Sequence, residues 1–84
     1  MRQIALSKQA NKALIRMSAR QSAAILSQLD RLASDPRDPR CDVRTLTGKP
    51  GLRLRVGDWR VLFAVEDDVL LVNWVGPRGD AYKE

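Results

Sequence analysis

Two periodicities divide the chain into a helical first half and a β-rich second half. Apolar residues recur at helical spacing over residues 8–17, directly after Ser7, which is suited to cap a helix. A second helical stripe follows Ser18, which opens a capping-box pattern, and ends near Ser34 because a proline comes soon after. The pattern therefore predicts two amphipathic helices, whose apolar faces we expect to cover a sheet.

Strand patterns lie on both sides of these helices. A short apolar segment at 4–6 predicts a first strand, and residues 43–46 are a further strand candidate after a charged, proline-rich connection. Three longer segments follow with two-residue turns between them: Leu52–Val56, Trp59–Glu66 and 69–75. We therefore predict a single α+β domain over residues 1–84, with a small antiparallel β-sheet in the order β-α-α-β-β-β and a two-helix hairpin packed on one face.

The Gly-Asp pair at 57–58 predicts a hairpin turn that fixes the register of its two strands. This register sets Arg55 opposite Arg60 and Arg53 opposite Leu62. Paired residues point to one face, and so do residues two apart on a strand, which puts the three arginines together. Opposed like charges weaken a sheet, so we expect this face to hold an anion. Arg53 and Arg55 would be about 6–7 Å apart, similar to successive phosphates of an extended nucleic-acid strand.

The second hairpin extends these face assignments if its turn is at 67–68. The predicted pairs are Arg60 with Val75, Leu62 with Asn73, and Phe63 with Val72. This register places Trp74 on the core face and leaves four apolar residues with the arginines on the opposite face: Leu62, Ala64, Val69 and Leu71. We expect a partner segment or the chain's own termini to cover that apolar area.

Composition narrows the chemistry. The net charge is +5 and the isoelectric point about 10.1, which favours a polyanion or an acidic protein as partner. The chain has no histidine, which excludes histidine-based catalytic triads and metal sites, and no metal or other cofactor is predicted. Its one cysteine, Cys41, cannot form an internal disulfide and fits a cytoplasmic location. We expect neither a signal peptide nor a membrane partner, because no apolar run is long enough.

Two motifs resemble the RelE/ParE toxin superfamily. Residues 46–63 read Leu-x-Gly-x-x-Gly-Leu-Arg-Leu-Arg-Val-Gly-Asp-Trp-Arg-Val-Leu-Phe, and residues 75–82 read Val-Gly-Pro-Arg-Gly-Asp-Ala-Tyr, similar to the family's Val-Gly-His-Arg-x-x-x-Tyr. The resemblance implies a RelE-like fold and the toxin of a bacterial type II toxin–antitoxin pair. It further implies a ribosome-dependent endonuclease that cleaves A-site mRNA by 2′-OH attack and so inhibits translation. The implied partners are a cognate antitoxin and the ribosome with its mRNA, with DNA only indirectly through the antitoxin.

The resemblance also implies a set of site residues. Carried over by position, the catalytic candidates are Arg53, Arg55, Arg60, Arg78 and Tyr82. The basic residues near this strand add Arg44 and Lys49 as RNA-binding candidates. The identity of the general base stays open, because arginine keeps its proton with a pKa above about 12.

Two positions depart from the family pattern, and two other functions stay open. Leu52 stands where the family commonly has an aromatic residue. Pro77 occupies a position where the family usually has histidine, which removes an acid/base group there. The first alternative is a ParE-type inhibitor of DNA gyrase. The second is a catalytically inactive toxin homologue that acts only as an antitoxin-binding module.

Overall fold

The computed structural model describes residues 1–78 and has two helices and five strands. In chain order they are β1 (Gln3–Leu6), α1 (Lys8–Arg16), α2 (Ala19–Ser34), β2 (Asp42–Thr45), β3 (Leu52–Val56), β4 (Trp59–Glu66) and β5 (Val69–Pro77). Both predicted caps are confirmed, since Ser7 Oγ accepts from the Ala10 N–H at 3.1 Å and Ser18 Oγ from the Gln21 N–H at 3.2 Å. Within residues 1–78, neither helix is long and apolar enough to cross a bilayer.

The sheet has the strand order β1-β5-β4-β3-β2. Strands β2 to β5 form the predicted antiparallel meander, whereas β1 pairs with β5 in parallel. This pairing arises because α1 and α2 cross one face of the sheet and return the chain at its far edge, from which the meander leads back to β1. The predicted α+β architecture is confirmed. The sheet is mixed and not purely antiparallel, because β1 is parallel to β5. The strand candidate at 43–46 is present as β2.

The core lies between the two helices and one face of the sheet. Leu14 of α1 and Ile25 and Leu29 of α2 are buried against Phe63 and Val72 of the central strands. A fully buried side chain of this kind contributes about 1.5–3 kcal/mol relative to exposure. The helices therefore stabilise one sheet face and leave the other, here called the open face, uncovered by secondary structure among the described residues.

A tight turn anchors the connection from α2 to β2. The buried Asp38 carboxylate accepts from the Arg40 guanidinium at 3.0 and 2.7 Å, and from the Arg40 backbone N–H at 2.9 Å. The guanidinium first, and the backbone N–H second, lower the pKa of Asp38 to about 2. This charged pair, together with the backbone hydrogen bonds from Asp38 to Asp35 and from Cys41 to Asp38, holds the proline-rich connection in place.

The first hairpin has the predicted register, and the second does not. Gly57 has a φ of +58°, as its turn requires. In the second hairpin a bulge between Leu62 and Phe63 leaves Asn73 without a cross-strand partner, so Leu62 pairs with Trp74. The Asn73 carbonyl instead accepts from Ser7 Oγ at 2.9 Å.

Because of the bulge, the predicted pairing of Arg60 with Val75 and the predicted face of Trp74 are wrong. Arg60 pairs with Gly76, and Val61 pairs with Val75, which is fully buried. Trp74 therefore shares a face with Leu62 on the open face, and its predicted place in the core is wrong.

Candidate functional site

Two rows of cross-strand neighbours organise the open face. One row runs from β2 to β5 through Asp42, Arg55, Arg60 and Gly76. The adjacent row runs through Arg44, Arg53, Leu62 and Trp74. The first row is charged and the second joins arginines to apolar side chains, so cationic and apolar surfaces lie side by side.

Arginines from three strands and the end of β5 surround one depression of about 340 Å³. We call it the arginine pocket; its lining residues are Asp42, Arg44, Arg53, Arg55, Arg60 and Arg78. The sequence-predicted arginines are therefore brought together, on the face opposite the helices. Five guanidinium groups and one carboxylate line it, which gives the pocket an excess of positive charge that would favour an anion.

Arg60 forms the floor of this pocket and is only 6% exposed. Its Nη1 donates to the carbonyls of Gly57 and Trp59, at 3.0 Å each. These bonds hold the guanidinium against the β3–β4 turn while leaving its charge uncompensated by any carboxylate within 4 Å in residues 1–78. A buried, fixed cation of this kind interacts strongly with an anion, because little reorganisation is needed when the anion binds.

Arg78 reaches the pocket from the end of β5. Its backbone N–H donates to the Asp58 carbonyl at 2.7 Å, which ties the chain to the same turn that holds Arg60. Gly76 precedes it by two residues, and the Trp74 ring lies where a Cβ at position 76 would stand. The β3–β4 turn thus gathers Arg60 and Arg78 at one end of the open face.

Asp42 supplies the one carboxylate among residues 1–78 that lines the pocket. Asp42 approaches Arg44 at 3.8 Å, and both side chains are exposed. Exposed pairs of this kind contribute about 0–1 kcal/mol and are easily exchanged for another anion. Asp42 was not singled out by sequence reasoning, although the alternation of β2 would have placed it beside Arg44 once the strand was paired.

Lys49 lies next to the arginine pocket and not in it. A second depression of about 690 Å³, here called the side groove, is lined by Arg44, Arg53, Lys49, Leu62 and residues 45–47. It shares Arg44 and Arg53 with the pocket. Of the predicted RNA-binding residues, Arg44 therefore borders both depressions, and Lys49 borders the side groove. Tyr82, a predicted catalytic residue, lies outside the described residues.

A glutamine of α1 braces the strand that carries Arg78. Gln9 Nε2 donates to the Val75 carbonyl at 2.7 Å, and the Val75 N–H donates to Gln9 Oε1 at 2.9 Å. This side-chain amide takes the place of a neighbouring strand, because β1 pairs with β5 only as far as Val72. No sequence signal marked Gln9, which the helical pattern places on a polar face.

Comparisons with known proteins cover most of the chain. The sequence model of a family described as the ParE toxin of the type II toxin–antitoxin system parDE matches residues 4–82. A search of curated protein sequences gave no significant match.

Solved structures share the whole architecture. The RelE–RelB complex of Pyrococcus horikoshii contains a chain 30% identical to this one, with a TM-score of 0.80 over 93% of this chain and 96% of that chain. The intact RelBE toxin–antitoxin complex of E. coli gives a TM-score of 0.77 at 18% identity, over 92% of this chain and 96% of that one. The isolated E. coli RelE toxin gives 0.76 at 19% identity, over 99% and 93%. At these lower identities the likeness shows the fold.

Proposed function

Since the chain belongs to the ParE toxin family of type II toxin–antitoxin systems, within the RelE/ParE superfamily, we propose that it is a ribosome-dependent mRNA endonuclease. It cleaves mRNA in the ribosomal A site and so inhibits translation in the cytoplasm. A cognate antitoxin binds and neutralises it; this part of the proposal is supported by structural relatives that were solved as complexes with RelB. The observation that carries the proposal is the pocket of five arginines on one sheet face.

The arginine pocket suits a phosphate that gains charge during reaction. When a 2′-OH attacks the adjacent phosphorus, the 2′-O–P bond forms and the bond to the 5′-oxygen breaks, through a crowded dianionic arrangement. Guanidinium groups match phosphate oxygens with paired hydrogen bonds. Arg60 is already fixed at the floor of the pocket and stabilises the developing charge, while the exposed Arg55 and Arg78 contact the phosphate from its rim.

Proton transfer is assigned to other groups, because arginine does not release its proton near neutral pH. Tyr82, which the family motif places after Arg78, orients or deprotonates the 2′-OH or stacks on a base. Arg78 assists the 5′-oxygen leaving group by charge stabilisation. Much of the rate acceleration then comes from positioning the RNA, which the ribosome supplies by holding the codon extended.

Primer extension on mRNA translated by purified ribosomes tests this function. We expect codon-linked cuts with the wild type and about a hundredfold slower cutting with Arg55→Ala. The reason is that the reacting phosphate loses the hydrogen-bond donors of one exposed guanidinium group. Arg16→Ala is the matched control: it removes the same charge from α1, on the other side of the sheet, and should cut at the wild-type rate. An uncut message with folded wild-type protein would contradict the proposal.

The matching family model is described as a ParE toxin, which favours a second candidate function. In this alternative the chain inhibits DNA gyrase and does not cut RNA. A supercoiling assay with purified gyrase separates the two: inhibition that Arg55→Ala leaves intact, together with uncut mRNA, would support the gyrase inhibitor. We favour the nuclease because the arginines are gathered around one pocket.

A further inference from the structure

The side groove next to the arginine pocket differs from it in chemistry. Its floor includes Leu62, which is 8% exposed and stands in the same row as Arg53 and Arg44. Leu46 adds a second apolar side chain at the end of β2. An apolar floor is poorly suited to a phosphate and well suited to the flat face of a nucleobase.

The rim of the side groove is polar and comes from a closed turn. The Leu46 N–H donates to the Gly51 carbonyl at 3.2 Å, which closes the loop that carries Thr47 and Lys49. A threonine hydroxyl both donates and accepts, and a lysine donates, so these groups can distinguish base edges. Thr45 also borders the groove, but strand alternation turns its side chain toward the helices, which leaves Thr47 as the hydroxyl on this side.

The two depressions lie side by side along β3, at a distance set by the spacing of Arg53 and Arg55. Arg55 belongs to the arginine pocket, whereas Arg53, two residues along the same strand, lines both the pocket and the side groove. Two residues of a strand span about 6–7 Å, which is also the step between successive phosphates of an extended strand. A strand whose reacting phosphate lies at Arg55 and Arg60 therefore has its next phosphate at Arg53 and Arg44, with the intervening base over the side groove.

We infer that the side groove is a nucleobase subsite for the RNA nucleotide next to the cleaved phosphate, and that Thr47 and Lys49 determine which base is preferred there. The inference rests on the proposed function, because the cleaved phosphate sets the register. The groove has about 690 Å³ of space, within the usual range of about 300–1,000 Å³ for small-ligand sites.

Two measurements test the subsite. The first maps cuts on translated mRNAs that vary the codon bases, with the double variant Thr47→Val/Lys49→Gln. We expect relative cutting among bases at one position to change at least about threefold, because Thr47 and Lys49 border the proposed base site. Lys12→Gln removes the same charge from α1 and should keep the wild-type preference.

The second measurement does not depend on cleavage. A short single-stranded RNA is titrated into the labelled toxin, and backbone amide shifts are followed by NMR. We expect the amides of Thr47 and Gly48 to shift together with those of Arg53 and Arg55. Shifts at Thr47 without any mRNA cutting by the wild type would overturn the proposed function and keep the subsite. Unchanged base preference in the double variant, or Thr47 and Gly48 amides that do not respond to RNA, would overturn the subsite.

Discussion

At the scale of single residues, the position of Arg60 lowers the stability of the fold. It faces Arg55 directly across the hairpin and is almost fully buried, and both features weaken a fold. Hydrogen bonds to the carbonyls of Gly57 and Trp59 offset part of the cost of burial. Our proposal that the arginine pocket binds a phosphate accounts for a cation in such a place.

Gly76 is the second residue on which the site depends. A Cβ there would overlap the Trp74 ring, so Gly76→Ala should lower the free energy of unfolding by about 1–3 kcal/mol through overpacking. Urea unfolding measures this change. In the double variant Gly76→Ala/Trp74→Leu the smaller side chain leaves room for the new methyl group, and the penalty for the alanine should shrink. An equal penalty in both backgrounds would rule out the ring as its cause.

At the scale of elements, the sequence pattern predicted the features that depend on residues close together in the chain. Both helix caps and the Gly57 hairpin followed from residues within a few positions of each other, and the structure confirms them. The bulge at Asn73 did not follow, because its carbonyl is satisfied by Ser7, far away in sequence. The parallel pairing of β1 also depends on a distant crossover.

At the site, too, the features that depend on a local turn were predictable from the sequence. The sequence placed Arg53, Arg55 and Arg60 on one face because a two-residue turn fixes register, and the structure confirms that placement. The position of Asp42 and the bracing by Gln9 depend on strand pairing and helix packing, which no local pattern reveals.

Gln9 makes a testable link between α1 and β5. Gln9→Ala removes both hydrogen bonds to Val75, and we expect a loss of about 0.5–1.5 kcal/mol for each bond that water does not replace. Hydrogen exchange of the Val75 amide should become about tenfold faster, since that N–H loses its acceptor. Asn11→Ala, exposed on the same helix, is the control and should leave this amide protected. Unchanged exchange at Val75 in the Gln9 variant would refute the bracing role.

The turn between α2 and β2 predicts a pH dependence of stability. The pKa of Asp38 is lowered from 3.8 to about 2 in the folded chain by its bonds to Arg40. Its stabilising contribution is therefore complete above about pH 4 and is lost as the pH falls toward 2. Urea midpoints measured from pH 5 to pH 2 should fall less steeply for Asp38→Asn than for the wild type. Asp30→Asn, an exposed carboxylate on α2, is the control and should keep the wild-type slope. Parallel pH profiles for wild type and Asp38→Asn would contradict this assignment.

At the scale of the whole molecule, the helices and the arginines occupy opposite sides of one sheet. The helices bury one face and supply the stability of a small domain, which leaves the open face available for binding. The location of the basic residues is therefore more informative than the net charge of +5, because five arginines border a single pocket. The family relationship makes the chain a toxin of a type II system, and the arginine pocket on the open face is the reason that we propose an mRNA held in the ribosome as its target.

The chemistry of the cut ends tests the central claim most directly. Attack by a 2′-OH leaves a 2′,3′-cyclic phosphate, or the 3′-phosphate formed from it, on one product and a free 5′-OH on the other. We predict that mRNA translated in the presence of wild-type toxin acquires codon-linked 5′-OH ends, detected by phosphorylation-dependent ligation and sequencing. Arg55→Ala should give about a hundredfold fewer of these ends, and Arg16→Ala the wild-type number. Intact mRNA, or ends that carry a 5′-phosphate, would contradict cleavage by 2′-OH attack in the arginine pocket.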